Sequence, residues 1–326
     1  KADSDLRKLI TNDCRKGWNV MITHPNSAIL KTGSVNKGVI PYCVFEGDRI
    51  PAGWVDSLND KRFPCVITPS EHTKKAMQDS GVTNTIHVVP HGHNPEEYHP
   101  DSSSRVDGFG ERFVFLFVGG WAKGSNDRKD LGLLLRAYLE EFKKEEPVML
   151  FCKVNTVYNP QMDFGEELKK LGILDGAEIG VNTTEASIEQ LRKLYNYCNV
   201  FVCPSRAESF GLTFLESMAC GNPCIAGGFG GQTDFVTEDN GWLLTPNISF
   251  DASKSEGMLY EGVKWADYEV SQLRKFLREA YDNKELLLKK SFSALSKAQE
   301  YTWLHSAQKV LSIIEDLEEH NGKQNR

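Results

Sequence analysis

A strand, a loop and a helix follow one another in residues 200–219, and this stretch restricts the choice of fold more than any other. Residues 200–203 are apolar and partly β-branched, which is typical of a buried strand, and apolar residues then recur at helical spacing. Gly221 can adopt the left-handed turn that ends a helix, and Pro223 cannot continue it. Another apolar run begins at Cys224. This alternation predicts an α/β fold with doubly wound, parallel sheets.

The loop before this helix has the features of an anion-binding site. In open α/β sheets, ligands lie beyond the carboxyl ends of the strands, and the N–H groups at a helix start attract anions. Gly211 also lets a ligand approach the backbone closely. The predicted phosphate site consists of Ser209, Phe210, Gly211 and Leu212.

Two carboxylates bracket this predicted site, Glu208 before it and Glu216 after it. A helical rise across the segment would separate them by about 12 Å, which suits one long ligand. Glu208 could favour positive charge on a sugar ring, and Glu216 could accept both hydroxyls of a ribose. A sugar joined to a nucleoside through a diphosphate fits this pattern. The alternative, two solvated carboxylates on an ordinary helix, fits Glu216 alone and leaves the Ser-Phe-Gly segment unexplained.

Residues 208–223 resemble the E-x7-E motif of family-4 retaining glycosyltransferases, and the preceding Pro-Ser and the Met-Ala-x-Gly-x-Pro pattern make the match specific. The resemblance implies the GT-B fold, in which two Rossmann-like domains face each other across a cleft. It also implies metal-independent transfer of a sugar, with retention, from a nucleoside-diphosphate sugar to the hydroxyl of a glycan, lipid or small-molecule acceptor. The nucleotide sugar is then a substrate, and no cofactor is expected.

The composition of the chain limits the kinds of partner that it is expected to bind. Its 326 residues suffice for two domains, and a net charge of −7 argues against a nucleic-acid partner. No apolar run is long enough to span a membrane. The eight cysteines are scattered, several of them in apolar runs, which indicates reduced thiols and a cytoplasmic location, with peripheral membrane association left open. Cys220 and Cys224 have no second ligand pair, so no metal site is predicted.

Local patterns predict several further elements. Residues 1–18 are predicted to be helical, and Ser70 is a good N-cap for the helix that follows it. The continuous apolar run at residues 113–118 predicts a strand buried on both faces. Residues 246–262 are predicted to be an insertion, and Leu304 is expected on the apolar face of the last helix.

Three parts of the chain are predicted: an acceptor-side domain in residues 1–105, a donor domain in residues 106–302, and a helix in residues 303–326. By resemblance, that helix crosses back to the first domain. Only four strands are predicted before His91, whereas relatives begin with a further strand and a Gly-rich loop. We therefore expect either a fragment or a shortened first domain. His91 and His93 could suggest a metal, but an interdomain connection is favoured.

Basic residues that could bind the diphosphate follow the first strand of the second domain. Relatives carry an Arg directly after this strand's glycine and a Lys before the next helix. Lys129 fits the second role, whereas Gly120 occupies the place of the Arg, so Arg128 or Lys123 is expected to replace it. Gly119 and Gly120 would border the donor. Lys153, at the end of another strand, could approach the nucleotide. For these lysines the alternative is an ordinary solvated cation.

The acceptor side departs from the family pattern. Many relatives have a His near the reacting sugar, but here the corresponding strand end reads Phe45-Glu46-Gly47-Asp48-Arg49. Either Glu46 or Asp48 would face the cleft, or these acids cap the helix that follows Pro51. We take Glu46, with Glu208 and Lys129, as a candidate catalytic residue.

Two other functions remain open at this point: an inactive subunit that binds nucleotide sugars, and a nucleotide-sugar epimerase. A nicotinamide oxidoreductase is disfavoured because no G-x-G-x-x-G follows the first strand of either domain. The predicted donor-binding residues are Gly119, Gly120, Arg128, Lys129, Lys153, Ser209, Phe210, Gly211, Leu212 and Glu216.

Overall fold

A computed structural model describes residues 18–22, 38–102, 109–121, 126–157, 163–170 and 176–324. The helix predicted before residue 18, the predicted boundary between residues 105 and 106, and Lys123 lie outside these ranges.

The first domain is a parallel sheet with helices. Its strands are β1 (Asn19–Ile22), β2 (Val39–Tyr42), β3 (Val66–Thr68) and β4 (Ile86–Val88), in that spatial order. Its helices are α1 (Ala52–Leu58) and α2 (Glu71–Asp79). Ser70 caps α2 as predicted, because its hydroxyl accepts a hydrogen bond from the Thr73 amide at 3.1 Å. The four predicted strands of this domain are all present.

The second domain has a six-stranded parallel sheet in the order β10-β9-β8-β5-β6-β7. Its strands are β5 (Phe113–Gly120), β6 (Val148–Asn155), β7 (Glu178–Asn182), β8 (Val200–Cys203), β9 (Cys224–Gly227) and β10 (Gly241–Leu244). Its helices are α3 (Leu131–Glu141), α4 (Phe164–Lys170), α5 (Ile188–Tyr197) and α6 (Leu212–Ala219). Four consecutive residues of β5 and all of β8 are buried, so the continuous apolar runs correctly predicted central strands.

A hairpin interrupts this alternation, and we call residues 246–267 the insertion hairpin. It consists of β11 (Asn247–Asp251), α7 (Ser253–Glu256), a 3-10 turn (Gly257–Tyr260) and β12 (Lys264–Asp267), with the two strands antiparallel. The sequence predicts an insertion here, but not its form. Trp265 and Val263 pack against Phe45 and Trp54 of the first domain. The hairpin therefore joins the two domains.

The chain ends in α8 (Val270–Asp282), α9 (Lys284–Ala298) and α10 (Trp303–Gln324). Ile313 of α10 packs against Ile40 and Ile67 of the first sheet. Leu304, expected on the apolar face of this helix, is 40% exposed. This difference arises because only the middle of α10 reaches the sheet.

The two chain segments that connect the domains contact each other. The His93 amide donates to the Tyr301 carbonyl at 3.0 Å, and the Trp303 amide donates to the His93 carbonyl at 3.2 Å. A Cβ on Gly92 would lie 2.1 Å from the Thr302 carbonyl carbon, so only glycine fits there. The 90–100 segment is therefore a structural connection, which agrees with the favoured interpretation of its histidines.

Candidate active site

Glu208 lies at the centre of the candidate site, in the loop between β8 and α6. It is only 5% exposed. Its Oε1 accepts hydrogen bonds from Lys129 Nζ at 2.5 Å and from the Ser205 hydroxyl at 2.7 Å, and its Oε2 accepts one from Arg128 Nη1 at 3.0 Å. The structure thus brings three of the predicted residues together around one buried carboxylate.

The charge state of Glu208 follows from these contacts. Burial alone would raise its pKa, but Lys129, Arg128 and the Ser205 hydroxyl lower the pKa to about 2. Glu208 is therefore ionised at neutral pH. Two cations hold this carboxylate, so an anionic ligand that bound the cations would compete with Glu208 for them.

Arg206 fixes the loop that carries the two cations, and the sequence analysis did not identify it. Its Nη1 donates to the Asp127 carbonyl at 2.8 Å, and its Nη2 lies 3.0 Å from Asp130 Oδ2. The Arg206 amide donates to the Arg128 carbonyl at 2.8 Å. An Arg three residues after the end of β8 was the available signal, but its partners lie in a distant loop.

The predicted phosphate site forms the start of α6. The helix begins at Leu212, and Gly211 before it has a left-handed φ of 97°. The first N–H groups of a helix have no intrahelical partner, so they remain available to a ligand. Because residues 208–211 are not helical, the 12 Å separation expected between Glu208 and Glu216 rests on a wrong premise.

Contacts from both domains hold this loop in place. The Ser70 hydroxyl of the first domain donates to the Ser209 carbonyl at 2.7 Å, and Phe210 is buried. Thr213 Oγ1 and Gln232 Oε1 are buried nearby without a hydrogen-bond partner among the described residues. Unpaired buried polar atoms are uncommon, and beside a helix start they are consistent with a ligand site.

Glu216 lies on α6 and interacts with tyrosines. The Tyr195 hydroxyl donates to Glu216 Oε2 at 3.0 Å. Burial raises the pKa of Glu216 to about 7, although hydrogen bonds from Tyr195 and Tyr98 oppose the rise. Glu216 is therefore not the solvated carboxylate of the alternative interpretation. The structure shows its protein partners, and its contact with a ribose stays a prediction.

The raised pKa of Glu216 predicts a pH dependence of stability. The folded chain binds a proton at Glu216 more tightly than the unfolded chain, so this group stabilises the fold at low pH and the stabilisation is lost as pH rises from about 4.5 to about 7. We expect the urea midpoint of the unmutated chain to fall more between pH 5 and pH 7 than that of Glu216→Gln. Parallel pH curves for the two proteins would contradict this.

Glu46 faces the same cluster from the first domain. Its Oε1 lies 4.0 Å from Arg128 Nη2, and its Oε2 accepts a hydrogen bond from the Tyr260 hydroxyl at 2.9 Å. Asp48 instead accepts a hydrogen bond from the Lys264 amide at 2.7 Å. Helix α1 has no side-chain cap, so the alternative that these acids cap it is wrong.

A cleft of 490 Å³ opens at the carboxyl ends of β5, β6 and β7. It is lined by Val118, Gly119, Gly120, Lys153, Asn155, Thr156, Val157, Thr183, Thr184, Glu185, Ala186 and Leu191. Lys153 is 8% exposed, and its Nζ donates to the Thr184 carbonyl. The solvated alternative is therefore wrong for Lys153, because its side chain is buried and bonded to the backbone.

Among the residues that the structure describes, no group of three or more His, Cys, Asp or Glu side chains is placed to hold an ion. His91 stacks on Tyr42 with ring centroids 5.6 Å apart, and burial lowers its pKa to about 4. Cys220 and Cys224 are buried free thiols.

Comparison with known proteins supplies the class to which the fold belongs. The chain superposes on the sucrose-phosphate synthase of Thermosynechococcus elongatus with a TM-score of 0.71, 17% identity, and coverage of 92% of this chain and 73% of that one. It superposes on Anabaena HepE in complex with UDP-glucose with a TM-score of 0.70 and 16% identity, covering 91% of this chain and 79% of that one. The fold is that of the GT-B glycosyltransferases, as predicted.

The sequence comparisons support the same class. Residues 112–255 match the family model described as Glycosyl transferases group 1, and the predicted resemblance to a glycosyltransferase family is confirmed.

Two relatives extend the match beyond this domain. A D-inositol 3-phosphate glycosyltransferase of Acidothermus cellulolyticus is 30% identical over 244 residues, which cover 70% of this chain and 51% of the relative. Its counterpart in Corynebacterium jeikeium is 25% identical over 262 residues, or 76% of this chain and 56% of the relative. The chain thus spans about half the length of these curated relatives.

Proposed function

We propose that this chain transfers a glycosyl group from a nucleoside-diphosphate sugar to an acceptor hydroxyl. The observation that carries the proposal is the buried Glu208 carboxylate, held by Arg128 and Lys129 beside the start of α6. A carboxylate, two cations and free helix amides in one loop cluster supply an electrostatic partner for each part of such a donor.

The diphosphate would take over the two cations. In the ligand-free arrangement Glu208 pairs with both Arg128 and Lys129, and a bound diphosphate could take its place as their partner. As the cations turn toward the phosphates, Glu208 becomes available to the sugar. Its charge then stabilises the positive charge that develops on the sugar ring as the bond to the diphosphate breaks.

The nucleoside would extend from the diphosphate toward the 490 Å³ cleft beside Lys153. Glu216, on the same helix that supplies the phosphate site, would accept the ribose hydroxyls. On the other side of Glu208, the acceptor hydroxyl would approach from the first domain, where Glu46 is the nearest candidate for a catalytic carboxylate. Retention of configuration and independence from metal follow the family resemblance and are part of the proposal.

The names of similar proteins support the proposed class of donor. The HepE structure contains UDP-glucose, and the curated relatives carry the name glycosyltransferase. We extend to this chain only the class of donor, a nucleoside-diphosphate sugar, and the transfer of a glycosyl group.

The test is to incubate the full chain with radiolabelled UDP- and GDP-sugars and a panel of glycan, lipid and small-molecule acceptors. We expect label in an acceptor product, or slow hydrolysis of one donor when no acceptor is present. Donor binding by calorimetry without any turnover would instead indicate the inactive binding subunit. An altered sugar still attached to the nucleotide would indicate the epimerase.

For location, we propose a cytoplasmic protein that can associate with the membrane surface. The described cysteines are free, which is consistent with a reducing compartment. Within the described ranges, no helix has both the length and the apolar character needed to cross a bilayer. A flotation assay with anionic and neutral vesicles would test surface association.

A further inference from the structure

The insertion hairpin reaches the candidate active site through one side chain. The Tyr260 hydroxyl donates to Glu46 Oε2 at 2.9 Å, and the Tyr260 ring stacks on Phe45 with centroids 4.8 Å apart. Trp265, from the same hairpin, donates its indole N–H to the Glu46 carbonyl at 2.7 Å. The second domain thus holds both the backbone and the carboxylate of Glu46, a residue of the first domain.

Glu46 in turn belongs to a chain of charged contacts. Its Oε1 lies 4.0 Å from Arg128 Nη2, and Arg128 Nη1 lies 3.0 Å from Glu208 Oε2. The Arg128 guanidinium therefore lies between a carboxylate from each domain. The Tyr260 hydroxyl is at one end of this series of contacts. It forms no hydrogen bond with Arg128 or Glu208.

We infer that Tyr260 is a positioning residue, which holds the Glu46 carboxylate toward Arg128 and Glu208 for sugar transfer. This inference rests on the proposed function, and it extends that function to the insertion hairpin, which the sequence analysis left without a role.

The geometry explains why such an anchor is needed. Glu46 lies in the loop after β2, its side chain is about one-fifth exposed, and a glutamate has three rotatable side-chain bonds. The hydrogen bond from Tyr260 selects one rotamer of Glu46. Burial, and then the proximity of Glu46, raise the pKa of Tyr260 above its ordinary value, so the phenol keeps its proton and remains a donor.

Loss of this anchor should affect catalysis more than donor binding. Arg128 also donates to the Ala207 carbonyl at 2.8 Å and to Glu208, and neither contact involves Tyr260. Tyr260→Phe removes only the hydroxyl and keeps the ring that packs on Phe45. We therefore expect kcat to fall about 10-fold, the scale of one hydrogen bond to a charged group, with the Kd for the nucleoside diphosphate changed by less than about 2-fold.

The experiment is a double-mutant cycle on kcat with Tyr260→Phe, Glu46→Ala and the double variant. If Tyr260 acts through Glu46, adding Tyr260→Phe to Glu46→Ala should change kcat by less than about 2-fold. The matched control is Tyr197→Phe, which also removes a donating hydroxyl, in this case one that bonds to the Gly110 carbonyl before the start of β5. This control should keep the kcat of the unmutated chain.

The possible results distinguish a failure of the positioning role of Tyr260 from a failure of the proposed function. An active unmutated chain whose kcat does not change in Tyr260→Phe refutes the positioning role and leaves the proposed function intact. Multiplicative effects in the double variant refute it as well, because Tyr260 would then act independently of Glu46. An unmutated chain without transfer to any acceptor refutes the proposed function first, and the inference with it. Urea unfolding of each variant shows whether a loss of kcat reflects a loss of folded protein.

Discussion

Glu208→Gln should lower turnover by about 100-fold or more while nucleoside diphosphate still binds. The substitution keeps the size of the side chain but removes the negative charge that is expected to stabilise the sugar in the transition state, and groups of this kind contribute mainly there. Arg128 and Lys129 would no longer be paired with a charged Glu208, so both cations remain available to phosphate. The measurements are kcat with a labelled donor and the Kd of the nucleoside diphosphate by calorimetry.

Because Glu208 compensates two largely buried cations, its loss also destabilises the fold. The Kd from calorimetry shows whether the variant is folded, because an unfolded variant would not bind the nucleoside diphosphate. Glu238→Gln, at an exposed position of the same domain, is the matched control and should keep full turnover. Undiminished turnover in Glu208→Gln would remove this residue from the mechanism.

Lys129→Ala should weaken the binding of nucleoside diphosphate by about 2 kcal/mol, or about 30-fold in Kd, the scale of one charge-assisted hydrogen bond. The loss has two sources. The ammonium no longer contacts the diphosphate, and Glu208 keeps its negative charge with one cation fewer to offset it. Calorimetry with the nucleoside diphosphate alone measures the effect without any acceptor.

Two further variants test whether the effect is specific to the charge and position of Lys129. Lys129→Arg keeps the charge but not the compact ammonium, so we expect an intermediate Kd. Lys143→Ala removes an exposed lysine beyond the end of α3 and should leave the Kd unchanged. If Lys129→Ala binds as tightly as the unmutated chain, the diphosphate does not contact this lysine.

The sequence predicted the elements whose signals are local. Periodicity, the β-branched run at residues 200–203 and the glycine at position 221 identified β8 and α6, and Ser70 identified the start of α2. These signals persist in the fold because each depends on neighbours within a few residues. The parallel sheets follow from the alternation of such elements.

The site was predicted less completely because its contacts join distant parts of the chain. Glu46 and Tyr260 are 214 residues apart, and no pattern in either segment indicates the other. The same holds for Arg206, which supports the loop of Arg128 from 79 residues away. The roles proposed for Glu208, Glu216 and Lys129 came from spacing and family resemblance, and they stay predictions that the variants above would test.

The contact between His93 and the segment 301–303 has a mechanical consequence. Both covalent links between the domains pass through one place, so any rotation of one domain against the other would have its hinge there. Rotation of this kind displaces distant points most. The insertion hairpin bridges the domains far along the chain from this hinge, so a rotation that moved the hairpin away from the first domain would break the hydrogen bond between Tyr260 and Glu46.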